Sequence, residues 1–221
     1  MQVSAAPGTL VLLVRHGETQ WNLDQRIQGH QDVPLTERGM EQARRLAACL
    51  AAEPPHAIYS SDLQRSRLTA ELLAPDRTEI RTDPRLREAE FGEWEGLSLA
   101  EIRSRHPEDF ENWRRDALTH RPPGGETIEA LKDRCMSALA EALPRHPGER
   151  VLVVSHGGPV RAMVCGLLGL PLEVYPRLRV ENTAVTRILF TERGAILAGF
   201  NDVSHLRASV EGPAHTGWEE K

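Results

Sequence analysis

The chain has 221 residues, of which 40% are hydrophobic and 27% are charged, with a formal net charge of −5 and a pI near 6.0. This length and hydrophobic content suffice for one well-formed core, and the acidic balance argues against a general nucleic-acid or membrane-surface binder. Because no apolar stretch reaches the roughly 18 residues of a membrane helix and the N-terminus lacks a secretion-signal pattern, we expect a cytoplasmic protein with one domain over residues 1–221.

Strand-like and helix-like segments alternate along the chain, which is typical of an α/β fold. In chain order, the apolar patterns predict strands at about 10–14, 57–59, 79–81, 150–154, 184–190 and 195–200, and helices at about 36–53, 63–73, 98–120, 126–143 and 159–168. The 98–120 helix is rich in charge and has Phe110 and Trp113 as its main apolar anchors, so it predicts a small helical cap inserted at about 98–125. We expect disorder only at residues 1–8 and after about Leu206.

The first and fourth predicted strands end in the same way. Five branched aliphatic residues at 10–14 are followed by Arg15-His16-Gly17, and four more at 151–154 are followed by Ser155-His156-Gly157. Such unbroken runs are typical of strands buried on both faces in a parallel sheet. Ligands bind at the carboxyl ends of such strands, so the two histidines are predicted to meet across one crevice.

Four blocks of sequence carry a family resemblance. They are Arg15-His16-Gly17-Glu18-Thr19 with Trp21-Asn22, Ser60 to Ala70, Leu86-Arg87-Glu88 with Phe91 to Gly96, and Ser155 to Gly158. In order and rough spacing they resemble the histidine phosphatase superfamily over about residues 9–205. That group contains cofactor-dependent phosphoglycerate mutases and many small phosphatases, among them α-ribazole phosphatase and broad-specificity phosphatases, which this chain is similar to. The resemblance implies a three-layer α/β/α sandwich with a mostly parallel central sheet and a small helical cap.

The resemblance also implies a catalytic set of five residues. Phosphoryl transfer needs a nucleophile in line with the leaving oxygen and positive groups around the three equatorial oxygens. Neutral His16 would attack through a ring nitrogen and form a phosphohistidine, while the planar forks of Arg15 and Arg65 match phosphate oxygens in pairs. His156 would add a third cation if protonated. Glu88 would protonate the leaving group and then take a proton from the attacking water.

The substrate-binding set overlaps with the catalytic one. Beside Arg15 and Arg65, the predicted contacts to the phosphate come from Asn22, Gln28, Gly29 and the backbone N–H of Gly157. No His-Glu-x-x-His pair or cysteine cluster indicates a metal site, so neither a metal nor another cofactor is expected. Cys49, Cys135 and Cys165 are widely spaced among apolar residues, which favours buried thiols.

Each assignment has a structural alternative. Arg15 with His16 could form a strand-end pair that only hydrogen-bonds a loop, Arg65 could lie on an exposed helix face, and His156 could be a satisfied structural histidine. Glu88 competes with the neighbouring acids Glu90, Glu93 and Glu95, because an acidic run is usually a solvated face. The motif context favours function for Arg15, His16, Arg65, Glu88 and His156. Surface positions are expected for the histidines that lack such context, which are His30, His56, His106, His120, His146, His205 and His215.

Three functions are consistent with these observations. The first is a metal-independent phosphomonoesterase that acts on a small-molecule phosphomonoester. The second is a cofactor-dependent phosphoglycerate mutase, which is less favoured because the mutases of the family that it resembles carry longer insertions than the one modest cap between Glu88 and His156. The third is a non-catalytic regulatory or binding protein on the same scaffold.

No nucleic-acid or membrane partner is expected. The sequence leaves the oligomeric state open, and a homodimer is one of the possible states. It also leaves open whether the cap arginines, Arg103, Arg105, Arg114, Arg115 and Arg121, select an anionic substrate or are solvated.

Overall fold

A computed structural model describes residues 3–75 and 78–207, which are arranged around a central sheet of six strands. In chain order the strands are β1 (Leu10–Arg15), β2 (Ala57–Ser60), β3 (Ile80–Thr82), β4 (Arg150–Ser155), β5 (Val185–Thr191) and β6 (Gly194–Asp202). Their spatial order is β3-β2-β4-β1-β5-β6. The first four of these run parallel, while β5 and β6 are antiparallel to their neighbours. The predicted mostly parallel sheet is therefore confirmed.

Helices cover both faces of this sheet. They are α1 (Gln20–Leu23), α2 (Glu37–Leu50), α3 (Gln64–Leu73), α4 (Leu99–Arg105), α5 (Pro107–Arg115), α6 (Ile128–Ala142) and α7 (Gly157–Leu168). Alternate residues of the central strands belong to two separate hydrophobic cores. Val11 and Leu13 of β1 pack with α6 and α7, whereas Leu12 and Val14 pack with α2 and α3. Because successive side chains of a strand point to opposite faces, the unbroken apolar run of β1 serves both layers.

The register between β1 and β4 brings the two strand ends together. The strands pair in parallel from Leu10 opposite Arg150 to Arg15 opposite Ser155. The pairing continues one residue further, because the backbone N–H of His16 donates to the carbonyl of Ser155 at 2.9 Å. His16 and His156 thus leave the same edge of the sheet side by side, as the two matching sequence runs predict.

Two predicted helices are shorter or broken in the structure. α2 begins after its Thr36 N-cap as expected but ends at Leu50, not at about Glu53. Pro54 restricts the backbone of the residue before it, so the chain leaves the helix within the preceding turn. The predicted 98–120 helix is divided into α4 and α5 by His106, whose φ of −130° and ψ of 57° lie outside the helical region, and Pro107 starts the second helix.

Two further expectations are wrong in part. Val3 is a buried member of the core and the Gly8 N–H donates to the Phe190 carbonyl at 2.8 Å, so the expected disorder of the N-terminus fails for residues 3–8. Residues 1–2 and 208–221, where disorder was also expected, lie outside the described residues. Cys49 is exposed on the outer face of α2, although Cys135 and Cys165 are buried as predicted. None of the helices described in residues 3–75 and 78–207 has the length and apolarity needed to span a bilayer.

Candidate active site

The ends of β1 and β4 place two imidazole rings in contact. The ring centroids of His16 and His156 are 5.1 Å apart, and the rings meet edge to face. His16 is 2% exposed and His156 is fully buried. Both rings lie at the carboxyl edge of the parallel strands, where ligands bind in open α/β sheets.

The hydrogen bond of His16 fixes its tautomer. Its Nδ1 lies 2.7 Å from the carbonyl oxygen of Gly17, and because a carbonyl only accepts, Nδ1 carries the proton. Burial, together with the charges of Arg65 and Arg15, lowers the pKa of His16 well below its usual range. The ring is therefore neutral at pH 7, with a lone pair on Nε2. Within residues 3–75 and 78–207 no group hydrogen-bonds this Nε2 atom, which leaves it available to a ligand.

His156 is also neutral, but both of its ring nitrogens are engaged. Nδ1 accepts a hydrogen bond from Arg65 Nε at 3.2 Å, and Nε2 donates to the Ser61 hydroxyl at 2.9 Å. Burial and the nearby charge of Arg65 lower the pKa of His156 well below its usual range. His156 therefore does not supply the third cation that was expected if its ring were protonated. Its Nδ1 already accepts a hydrogen bond from Arg65, so this nitrogen carries no proton in this arrangement.

Arg65 is fully buried, so its alternative interpretation as an exposed helix residue is wrong. Its Nη1 and Nη2 donate to the carbonyls of Gln31 and Gly29 at 2.7 and 2.8 Å, which fixes the guanidinium in place. Burial lowers the pKa of Arg65 to about 10, so the side chain keeps its charge at pH 7. Three of its five N–H donors are used in these bonds and the bond to His156, and two remain for a ligand.

Arg15, which precedes His16, is also held by a backbone carbonyl. Its Nη1 donates to the Val180 carbonyl at 2.7 Å. Its Nε is buried and has no hydrogen-bond partner in the described part of the chain. A buried guanidinium donor without a partner carries a free-energy penalty that an anion would relieve.

Glu88 approaches the same edge from the segment after β3. Its Oε1 accepts hydrogen bonds from the backbone N–H groups of Ala89 at 2.9 Å and Gly158 at 3.1 Å. A Cβ atom at Gly158 would overlap with this oxygen, so a larger residue there would displace the Glu88 carboxylate from this position. Glu88 also influences both arginines, because its charge opposes the effect of burial on the pKa values of Arg15 and Arg65.

The rival acids lie elsewhere. Glu90 is exposed, and the side chain of Glu93 is 66% exposed. Glu95 is partly buried, but its Oε1 accepts the backbone N–H groups of His30 at 2.9 Å and Phe91 at 3.2 Å, so this carboxylate organises a loop. Of the four carboxylates, Glu88 is the one bonded to the first turn of α7 beside His156.

The remaining predicted binding residues surround these groups. Asn22, in α1, accepts hydrogen bonds through Oδ1 from the Thr19 N–H and the Asn182 amide, at 3.1 and 3.2 Å. Gln28 is buried, and its Oε1 has no partner among the described residues. Gly29 adopts a φ of +48° and offers its carbonyl to Arg65. A Cβ at Gly157 would stand 3.6 Å from Arg15 Nε, so this residue lies against the arginine.

Several residues at the site are missing from the sequence predictions. Asn182 donates to the His16 carbonyl at 3.0 Å, and Arg134 donates to the Glu88 carbonyl at 2.7 Å. Four surface predictions for histidines are wrong. His30 is partly buried and donates through Nε2 to the Glu88 carbonyl at 2.9 Å, and His146 is buried against Tyr59. His106 and His205 are also partly buried, with 19% of the His106 side chain exposed. The prediction for His215 lies outside the described residues. None of these contacts follows from a local motif, because each joins distant parts of the chain.

Comparison with known proteins agrees with this arrangement. The model of the histidine phosphatase superfamily (branch 1) matches residues 11–203. "Probable phosphoglycerate mutase GpmB" of Escherichia fergusonii is 41% identical over 208 residues, which are 90% of this chain and 95% of that protein. The solved structure of Bacillus stearothermophilus YhfR has a TM-score of 0.85 and 36% identity, covering 90% of this chain and all of the other. The alpha-ribazole phosphatase of Shigella flexneri has a TM-score of 0.80 and 30% identity, covering 88% and 96%. The chain therefore belongs to the histidine phosphatase superfamily.

Proposed function

We propose that this enzyme is a metal-independent phosphomonoesterase in which His16 is the nucleophile. The observation that carries the proposal is the state of the His16 ring: Nδ1–H donates to the Gly17 carbonyl, and the neutral ring leaves Nε2 without a hydrogen bond in the described part of the chain. Arg15 and Arg65 are near enough for their charges to lower the pKa of this ring. Attack of Nε2 on the phosphorus of a phosphomonoester forms an N–P bond as the ester P–O bond breaks. Water then attacks the phosphohistidine, which releases inorganic phosphate and restores the neutral ring.

Fixed cations do the work that a divalent metal does in other phosphoryl transfers. Arg15 and Arg65 are anchored through backbone carbonyls, so their free donors are ordered before the substrate binds. Preorganised donors of this kind stabilise charge in the transition state without having to move into position. The unpaired Nε of Arg15 and the two unused N–H groups of Arg65 are the donors proposed for the phosphoryl oxygens, with the Asn22 amide and the Gly157 N–H.

Glu88 is the proposed general acid. An alkoxide is a poor leaving group near neutral pH, so the leaving oxygen must receive a proton as the P–O bond breaks. To act in this way, Glu88 must carry a proton when the substrate binds. After transfer, the carboxylate is placed to accept a proton from the water that attacks the phosphohistidine.

Arg134 holds the backbone that carries this acid, and its removal is expected to lower catalysis. Its guanidinium donates to the carbonyls of Arg85, Arg87 and Glu88 at 2.7 Å each and forms an ion pair with Glu126. We expect Arg134→Met to reduce kcat for an alkyl phosphate by roughly 10-fold or more, with a smaller change in KM, because a displaced acid acts mainly in the transition state. Steady-state kinetics with thermal melting checks this result.

Arg134→Lys and Arg85→Met are the matched variants for this prediction. The lysine keeps the charge and part of the hydrogen bonding, so we expect it to recover a share of kcat. Arg85 lies in the same segment, but its side chain is 36% exposed and pairs with Asp83 and Glu141, so its loss should leave kcat nearly unchanged. If Arg134→Met lowers the melting temperature while kcat is preserved, Arg134 has no positioning role.

A phosphoglycerate mutase is the second candidate, and the name of the Escherichia fergusonii relative favours it. A mutase returns the phosphoryl group to the substrate, whereas a phosphatase passes it to water. The test is a panel of 3-phosphoglycerate, sugar phosphates, nucleotides, α-ribazole phosphate and p-nitrophenyl phosphate, assayed for inorganic phosphate and for 2-phosphoglycerate, with and without EDTA.

For the phosphatase we expect one inorganic phosphate for each substrate molecule consumed and no effect of EDTA. Formation of 2-phosphoglycerate without phosphate release indicates the mutase instead. A protein inert on the whole panel supports a non-catalytic role. Activity that is lost on chelation and restored by Mg²⁺ or Zn²⁺ contradicts the metal-independent mechanism.

A further inference from the structure

Arg161 and Tyr175 form a stacked pair at the edge of the site that the proposed reaction does not use. Arg161 lies one turn into α7, and its guanidinium carbon is 4.3 Å from the centroid of the Tyr175 ring. Its Nε donates to the carbonyl of Gly157 at 3.1 Å. Stacking on an aromatic face and a bond to the backbone together fix the plane of the guanidinium.

Two glycines place this pair beside the catalytic groups. Gly157 separates the two arginines, because Arg161 Nε bonds its carbonyl and Arg15 Nε lies 3.6 Å from the position of an added Cβ. At Gly158, an added Cβ would overlap with Glu88 Oε1 and would lie 3.1 Å from the Tyr175 hydroxyl. The proximity of the charges agrees with this geometry, since Arg161 contributes to the lowered pKa of Arg15.

Both side chains keep unused donors. Arg161 has no carboxylate within salt-bridge distance, and the Tyr175 hydroxyl has no hydrogen-bond partner, across residues 3–75 and 78–207. Tyr175 is 6% exposed, and burial raises the pKa of its hydroxyl above the ordinary value, so it stays neutral at pH 7. The pair therefore offers one positive charge and one neutral O–H beside Glu88.

We infer that Arg161 and Tyr175 form a subsite for a carboxylate on the leaving group of the substrate. The inference rests on the proposed function, because it takes the leaving oxygen to lie next to Glu88. A carboxylate fits for two reasons: its two oxygens match the planar donors of one guanidinium, and its single charge is balanced by the one cation. A second phosphate dianion would carry one more negative charge than this single guanidinium can balance. The substrate class is then a short phosphomonoester whose alcohol carries a carboxylate a few bonds from the ester oxygen.

The cap arginines are the competing source of such selectivity. Arg114 is paired with Glu111 and its side chain is 65% exposed, and Arg105 is 60% exposed and lies 3.9 Å from Glu101. Solvated, paired arginines of this kind contribute little to binding. Arg161 differs from them because it is partly buried, is stacked on Tyr175 and lies near Arg15 across Gly157.

The test compares 3-phosphoglycerate with glycerol 3-phosphate, which differ only in a carboxylate against a CH₂OH group. Each is used to inhibit hydrolysis of p-nitrophenyl phosphate, so that both inhibition constants are measured whether or not the compound is turned over rapidly. We expect the wild-type enzyme to bind 3-phosphoglycerate at least about 10-fold more tightly than glycerol 3-phosphate. Arg161→Met should bring this ratio towards one, Arg161→Lys should retain part of it, and Tyr175→Phe should reduce it by a smaller factor.

Glycerol 3-phosphate is the internal control, since a general distortion of the site weakens both compounds alike. Arg145→Met is the control for charge, because Arg145 precedes β4 at the opposite edge of the sheet and pairs with Glu141. A wild-type ratio near one, or a ratio that survives Arg161→Met, overturns the subsite and leaves the proposed function standing. Hydrolysis of p-nitrophenyl phosphate that persists in His16→Ala overturns the proposed function instead.

Discussion

Replacing His16 by alanine is expected to abolish turnover, with a loss on the order of 10⁴-fold or more, because the variant lacks the ring nitrogen that forms the covalent intermediate. Wild-type protein mixed with ³²P-labelled substrate and quenched without acid should carry a phosphoramidate that is stable in base and labile in acid. His16→Ala should carry none. Because burial and two arginines lower the pKa of His16 well below its usual range, labelling should persist as the pH falls through about 6.5.

His146→Asn is the matched control for a buried histidine. His146 is 9% exposed and its ring bonds the Tyr59 hydroxyl at 3.0 Å and Glu149 at 2.9 Å, at a distance from the nucleophile. Its replacement is expected to lower the melting temperature while the phosphohistidine still forms. Labelled protein obtained with His16→Ala, or labelling lost in His146→Asn at a temperature where that variant is folded, contradicts the assignment of the nucleophile.

The sequence predicts the sheet and the meeting of the two histidines because both depend on local patterns. An unbroken run such as residues 10–14 can be satisfied only by burial on both faces, and that places the strand in the middle of a covered sheet. The residue after such a strand then lies at the ligand-binding edge. The two strand runs alone therefore predict that His16 and His156 lie close together.

Other parts of the site depend on contacts that leave no local pattern. Arg134 lies in an amphipathic helix and resembles any solvated arginine there, yet its side chain is drawn inward by three backbone carbonyls. Likewise, His30 has no motif around it, and its bond to the Glu88 carbonyl crosses 58 residues. Every residue has a backbone carbonyl, so the sequence does not indicate which carbonyl a given side chain will contact.

Arg161 is an intermediate case. It stands four residues after Gly157, so helical spacing puts it on the same face as the residue at the strand end. A search for cations one turn into the helix after each buried strand would have found it. Its partner Tyr175 would still have been missed, because the turn that carries it, Leu172–Arg177, packs back on α7 only in three dimensions.

Changing Glu88 to glutamine tests the general acid through the chemistry of the leaving group. The contribution of a general acid increases as the leaving group becomes less stable as an anion. The oxygen of an alkyl phosphate needs one, whereas p-nitrophenolate departs readily as an anion. Glutamine has the shape of glutamate and can keep accepting the Gly158 N–H through its amide oxygen, so the variant removes the proton with little change in packing.

We expect Glu88→Gln to slow phosphorylation by an alkyl phosphate on the order of 10²-fold or more and to slow phosphorylation by p-nitrophenyl phosphate far less. The measurement is the single-turnover rate of the phosphorylation step. Steady-state rates are unsuitable, because breakdown of the phosphohistidine is common to all substrates and hides the difference wherever it limits turnover.

Glu90→Gln is the matched control, since Glu90 is exposed two residues away on the same segment. A solvated carboxylate has no proton to give at the leaving oxygen, so this variant should change both rates little and by equal factors. Arg134→Met should behave like a weaker form of Glu88→Gln, because the arginine holds the Glu88 carbonyl while the carboxyl group itself remains. If the large alkyl-to-aryl difference appears with Glu90→Gln, or with neither variant, the proton comes from a group other than Glu88.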